Sequence, residues 1–193
     1  MSKRILLTML AIGLLATLSG IASLAVFTDT ASVGSNTFTT GTVDITTSPT
    51  TALVTFSGMA PGDSVTNGIT VTNAGSLALR YAVTSTTTEN TLAAQLDQTV
   101  WDEAAEADAG TACNATAPAT VLYGPADLGS TTGINVVGSP TQGAQAGDRT
   151  LASAAREVLC FRVELPSSTG NAYQGLTTTA TFAFQAEQTV NNP

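Results

Sequence analysis

The sequence predicts an all-β protein, a jelly-roll or Ig-like antiparallel β-sandwich, from three observations. Apolar and polar residues alternate along several short stretches, the signature of strands with one face buried. Threonine is abundant, and its branched Cβ suits a pleated surface. Turn chemistry separates the stretches, as in "PGD" at 61–63 and "NAGS" at 73–76. Many short strands punctuated by turns describe a sandwich rather than a parallel sheet.

The elements follow in chain order. Lys3 and Arg4 precede an apolar run from Ile5 to Val26, and Ser23-Leu24-Ala25 places small residues at its end. This is the pattern of an export signal over 1–25 read by signal peptidase, with cleavage after Ala25. Cleavage after Val26 and retention as an anchor are the alternatives, since the run approaches the ~20 apolar residues that span a bilayer. Residues 26–193 then form a single domain, in which 26–40 is strand and linker and 89–154 is a loop-rich insertion. "ALVTFS" and "ITVTN" are short strands. In "SLALRYAVTS" Leu77, Leu79, Tyr81 and Val83 share a face, opposite Ala78, Arg80 and Ala82. In "EVLCFRVELP" Leu159, Phe161, Val163 and Leu165 oppose Cys160, Arg162 and Glu164. In "TATFAFQAEQTV" Phe182, Phe184 and Ala186 form the apolar row. Between these, Ala, Leu and Glu become frequent, which predicts short helices over 91–97 and 101–107 and a helical turn in "RTLASAAREVL". Gly-, Ser- and Pro-rich residues 124–149 read as loops.

Composition removes several function classes. The 193-residue chain has six basic residues, fourteen acidic ones and no histidine. Loss of the signal removes two of the six, so four arginines face fourteen acids and the net charge is −10. That balance argues against nucleic acid, which is bound by Lys and Arg neutralising phosphates, and against anionic lipid. The mature form is not expected in a membrane. Without histidine there is no Ser-His-Asp triad and no His-ligated zinc. No GxSxG, P-loop or GxGxxG occurs. No catalytic residue, metal site or cofactor is therefore assigned. Asp102, Glu103, Glu106 and Asp108 form an acidic group without the Asp-x-Asp-x-Asp-Gly pattern of a calcium loop, and read as solvated surface. "LPSSTG" at 165–170 is one residue too long for a sortase signal and reads as a turn, and Asn114-Ala115-Thr116 matches a glycosylation sequon. In an exported protein Cys113 and Cys160 read as one disulfide, with two free thiols as the alternative.

Taken in order, further motifs point to a family. They are Phe27-Thr28-Asp29, Asn36-Thr37-Phe38, Gly41-Thr42-Val43-Asp44, Met59-Ala60-Pro61-Gly62-Asp63, Asn73-Ala74-Gly75, Asn171-Ala172-Tyr173-Gln174-Gly175 and Phe182 to Gln188 with Glu187. Behind an export signal, this order and spacing resembles the TasA/camelysin family of proteins with SipW-type signal peptides. The likeness spans roughly 26–88 and 155–190, with no matching motif between. It implies a secreted jelly-roll-like sandwich that is a subunit of an extracellular biofilm-matrix fibre or surface filament. It implies other copies of the same chain as partners, with a minor anchoring or nucleating matrix protein, in the extracellular matrix or at the cell surface. It also implies that the N-terminal segment adds as a strand to the next subunit. Camelysins are described as metallopeptidases, but this chain has no HExxH.

The strand-donor expectation has its own physics. A sheet edge with unpaired N–H and C=O groups is a template for another strand, and alternate side chains of an added strand fill pockets. Residues 26–36 extend over about 33 Å. Phe27, Asp29, Ala31 and Val33 share one face, and Gly34 and Gly41 permit a bend. Pairing within the chain's own sandwich and disorder are the alternatives. At the level of function, the alternative is a monomeric cell-surface adhesin or glycan-binding sandwich.

Overall fold

In the computed structural model, residues 3, 37–50, 57–103, 113 and 121–192 are described below. The chain divides into two compact units, Met1–Thr39 and Thr40–Pro193. Of the first, Lys3 and residues 37–39 are described, and Phe38 is 94% exposed. The expected export signal, save Lys3, and the donor positions Phe27, Asp29, Ala31 and Val33 lie outside the described residues.

The second unit is the all-β antiparallel sandwich that the sequence predicts. Its strands are β1 (Ile45–Ser48), β2 (Ser64–Asn73), β3 (Leu79–Thr87), β4 (Asp97–Glu103), β5 (Tyr123–Asp127), β6 (Ile134–Val137), β7 (Arg149–Leu151), β8 (Arg156–Glu164) and β9 (Ala180–Gln188). One sheet has the order β1-β2-β8-β4-β5. In the other, β3 is central: β6 and β7 pair with successive parts of it, and β9 pairs with its whole length from Leu79↔Gln188 to Thr87↔Ala180. All these strand pairings are antiparallel.

Alternation explains the core. Ile69, Val71, Val100, Leu159 and Phe161 from the first sheet meet Leu79, Tyr81, Val83, Val137 and Leu151 from the second, with Phe182, Phe184 and Ala186 packed against them. The opposite faces of β4 and β8 carry Trp101, Val158 and Cys160, all fully buried, with Cys113 and Val121 against them. Cys160 is disulfide-bonded to Cys113, 47 residues away, with Cα atoms 5.5 Å apart. The disulfide thus lies on a second, smaller core outside the sandwich.

Three local expectations are corrected. Residues 91–97 form hydrogen-bonded turns rather than a helix, and Asp97 already begins β4. The Glu89 carboxylate accepts from the amides of Thr91, Leu92 and Ala93 as a helix cap would, but the ladder to β8 takes over at Asp97 and leaves no length for a helix. Residues 101–103 are likewise strand, and 104–107 lie outside the described residues. The helical turn anticipated at Arg149–Leu151 is β7, where pairing with β3 overrides a weak local preference. Within 89–154, loops alternate with β4 to β7, so this stretch supplies strands to both sheets.

Candidate functional site

The sequence motifs gather at the two ends of β2. At its C-terminal end Asn73 is fully buried. Its Nδ2 donates to the carbonyls of Leu77 (2.8 Å), Leu151 (3.1 Å) and Ala152 (3.1 Å), and its Oδ1 accepts from Gly75 N at 2.9 Å. This one side chain ties the 73–77 turn to the end of β7. The Gly41–Asp44 stretch runs against that turn. Ala74 N donates to Asp44 O (2.8 Å), Ser76 N and Leu77 N to Thr42 O (both 3.1 Å), and Thr42 N to Ser76 Oγ (2.9 Å). A Cβ at Gly75 would stand 2.4 Å from Thr42 O, and one at Gly41 would stand 2.5 Å from the Leu77 side chain. Both glycines are needed because the two motifs touch. Together they form a seam that fixes where the chain enters the domain.

At the other end, Ala60-Pro61-Gly62-Asp63 is a tight turn. Asp63 N donates to Ala60 O (2.9 Å), Asp63 Oδ2 accepts from Ala60 N (2.8 Å), and Gly62 adopts a φ of 98° that favours glycine. The turn is pinned to β8 by Gly62 N→Leu165 O (2.7 Å) and Leu165 N→Asp63 O (2.9 Å). Pro61 lines a groove of about 620 Å³ together with Tyr173, Gln174 and Gly175, so two motifs more than a hundred residues apart converge. Met59, Leu92, Leu96, Leu165 and Leu176 supply its apolar wall. The Leu92/Leu96 pair was visible in sequence only as helical spacing. "LPSSTG" forms a turn beside this groove, with Thr169 N bonded to Pro166 O at 3.0 Å.

β9 starts where the groove ends, since Thr177 and Thr178 line the groove and Ala180 opens the strand. Its far end reaches the seam side, where Thr189 N donates to Ala78 O (3.1 Å). The pairs Thr88 N→Thr179 O and Thr189 N→Ala78 O are both 3.1 Å and in register with the β3–β9 ladder. Hydrogen-bonded pairs alternate in antiparallel ladders. Odd-numbered residues of β9 therefore direct their amides and carbonyls to β3, and Ala180, Phe182, Phe184, Ala186 and Gln188 direct theirs away. Among the described residues that outer edge has no strand partner. The other edges are short or blocked: β1 has four residues and is followed by Pro49, β6 and β7 have four and three, and β5 contains Pro125. β9 has nine residues, no proline and no glycine.

Several carboxylates are held by partners within the fold. Glu187 pairs with Arg80 and accepts from Gly143 N (2.9 Å) and Asn192 Nδ2 (2.7 Å). The Arg80 hydrogen bond leads these partners in holding its carboxyl below the usual carboxylate range. Glu157 accepts from Tyr81 Oη (2.7 Å) and pairs with Arg149, which also reaches Asp102 at 2.8 Å. Burial, then the Glu157 charge, raises the Tyr81 pKa, and the hydrogen bond to Glu157 raises that of Arg149. Asp102 and Glu103 point to opposite faces of β4, as strand alternation requires. Glu103 accepts from Trp101 Nε1 at 3.1 Å, while Glu106 and Asp108 lie outside the described residues.

The sequence profile of camelysin metallo-endopeptidases matches residues 1–192. The chain belongs to this family. No curated protein matches it. Among solved structures it is similar to the ASH / PapD-like domain of human CEP192 (PapD-like domain 7), at 14% identity over 86% of this chain and 99% of that one, with a TM-score of 0.28. A camelysin's catalytic metal does not fit the residues present. The chain has no histidine and both cysteines are disulfide-bonded. Glu157 and Glu187 are paired with arginines, and the Glu89 oxygens accept hydrogen bonds from backbone amides. Among the described residues no three His, Cys, Asp or Glu side chains converge, and no helix is long and apolar enough to cross a membrane.

Proposed function

We propose that this camelysin-family chain is a secreted structural protein, a subunit of an extracellular matrix fibre or surface filament. Residues 26–36 of one copy add as a strand to the sandwich of the next. Family membership supports a secreted matrix protein. The observation that carries the assembly reading is a nine-residue strand edge left unpaired among the described residues, in a sandwich whose other edges are short or interrupted. Donor and acceptor are different surfaces of the chain, so the contact is head-to-tail and propagates instead of closing. The seam adds support, since it holds residues 41–44 firmly and gives the preceding segment a fixed base. The engaged carboxylates and the lack of histidine favour a structural role over proteolysis.

Electron microscopy of the protein beginning at Val26 is expected to show fibres. Removal of residues 26–36 is expected to leave a folded monomer that forms none. Fibres from the truncated protein would sink strand donation, and a full-length protein that stays monomeric at high concentration would favour the adhesin reading. Chelator-sensitive peptide hydrolysis by the pure chain would restore the peptidase.

A further inference from the structure

The small core outside the sandwich is closed by one covalent bond. We propose that the Cys113–Cys160 disulfide is a redox latch. Oxidised, it holds the β4–β5 connection against the outer face of the first sheet. Reduced by a dithiol, it lets that connection come away and uncovers Trp101, Val158 and Cys160, with the sandwich intact. The latch is independent of how copies of the chain meet.

Three observations carry it. First, the outer face is apolar and closed at this point. Gly68, Cys160 and Trp101 form one rung across β2, β8 and β4. All three are buried, and so is Val158, the next outward residue of β8. Among the described residues, Cys113 and Val121 pack on this patch. Second, the connection has no other large apolar group to hold the face with. Between Glu103 and Val121 the sequence contains no Val, Leu, Ile, Met, Phe, Tyr or Trp. Cys113 is flanked there by Ala, Gly, Thr, Asn and Pro and by the acids Glu106 and Asp108. Burial stabilises in proportion to apolar area, so these small side chains grip weakly against the entropy of an ordered backbone. Third, no strand has to separate for the face to open. β4 stays paired with β8 from Asp97 to Glu103 and with β5 as far as Val100↔Tyr123, and Leu122 N donates to Val100 O at 2.7 Å. The inner rows of the sandwich lie on the opposite side of the sheet.

The two sulfurs differ in access, which orders the exchange. Cys160 is fully buried and Cys113 half-buried. A dithiol's thiolate therefore attacks Cys113 Sγ, forming a mixed disulfide there and breaking the bond to Cys160, whose sulfur leaves as a thiolate and takes a proton. The dithiol's second sulfur then attacks its first, closing the reductant's own disulfide and releasing Cys113, which is protonated in turn. Two electrons and two protons pass from the dithiol to the pair. A reducing compartment thus keeps the face open, and an oxidising one closes it.

The test uses the protein beginning at Val26. Dithiothreitol is expected to shift the emission of Trp101, the one tryptophan in the chain, to longer wavelength and to raise its quenching by acrylamide several-fold. Hydrogen exchange of the β3 and β9 amides is expected to stay slow throughout, and reoxidation to reverse both optical changes. In Cys113→Ser, Cys160 is expected to react with iodoacetamide without denaturant, because its cover has gone. If Cys160 stays unreactive in that variant and reduction leaves the Trp101 emission unchanged, the bridge is a fixed staple and the latch is wrong. If the β3 and β9 amides exchange as soon as Trp101 is exposed, the whole domain has unfolded and the latch is equally wrong.

Discussion

At the scale of single residues, Asn73 and Gly75 hold the turn after β2 in place. Asn73→Ala removes one acceptor and two donors from a fully buried site, leaving carbonyls of β7 and the 73–77 turn without partners. Buried unsatisfied groups cost about 1–3 kcal/mol each, so a loss of about 3 kcal/mol or more is expected in urea unfolding. Asn73→Asp should do no better, since a carboxylate would face three carbonyl oxygens. Gly75→Ala drives a Cβ into backbone, 2.4 Å from Thr42 O and 2.8 Å from Asp44 N, and a cost of about 2 kcal/mol follows from overpacking. Glu187 gives a pH dependence. Its folded pKa is held below the unfolded value near 4.5. Its contribution is therefore complete above that value and is lost as pH falls through the folded pKa. Acid titration of the unfolding midpoint should show this loss, and Glu187→Gln should flatten that part of the curve. The sequence marked Asn73, Gly75 and Glu187 through their motifs but said nothing of their partners. Arg80 and Asn192 are 112 residues apart, and only the fold brings them to the same carboxylate.

At the scale of elements, the strands that alternate strongly were legible, and those governed by pairing were not. β3, β8 and β9 follow the apolar rows read from sequence. β5, β6 and β7 do not, because they are only five, four and three residues long, too short for an alternating row to show, and are held by their neighbours. β7 has three residues and exists through its ladder to β3. The 91–97 stretch has helical composition but ends in a strand contact that is worth more than propensity. An edge without a strand partner among the described residues is a property of topology, so no local pattern in "TATFAFQAEQ" could announce it. β9 also permits a clean intervention. Pro at position 186 removes an amide that points away from β3, so Ala186→Pro is expected to preserve the fold while abolishing fibres. Pro at 183 removes a ladder bond and is expected to lower the unfolding midpoint as well.

For the molecule as a whole, the disulfide and the sandwich core are separate sources of stability. The disulfide closes a loop of 47 residues, and chain entropy sets its contribution at roughly 4 kcal/mol. It joins the outer face of β8 to Cys113 rather than bridging the sheets. Reduction is therefore expected to lower the denaturant midpoint without exposing Phe161 and Tyr81, which near-ultraviolet circular dichroism can check. Intact mass should show two hydrogens fewer than the reduced chain. The division between a small N-terminal unit and a strand-built one also separates what sequence could and could not convey. Composition excluded whole classes of chemistry, and the motif order identified the family. The convergence of "MAPGD" with "NAYQG", and of "GTVD" with "NAGSL", needed three dimensions.

The seam has a mechanical meaning. A tensile load applied to the chain at Thr40 passes first into the Gly41–Asp44 bonds to the 73–77 turn and then into β1, which pairs antiparallel with β2 from Ile45↔Asn73 to Ser48↔Thr70. Pulled along the strand axis, those hydrogen bonds are loaded side by side in shear and must yield together, unlike a zipper opened from one end. Gly75, by letting the two backbones touch, adds rungs at the point where the force enters. Pulled by optical tweezers through residue 40, the domain should rupture at markedly higher force than when pulled across the same ladder, and Gly75→Ala should narrow that difference.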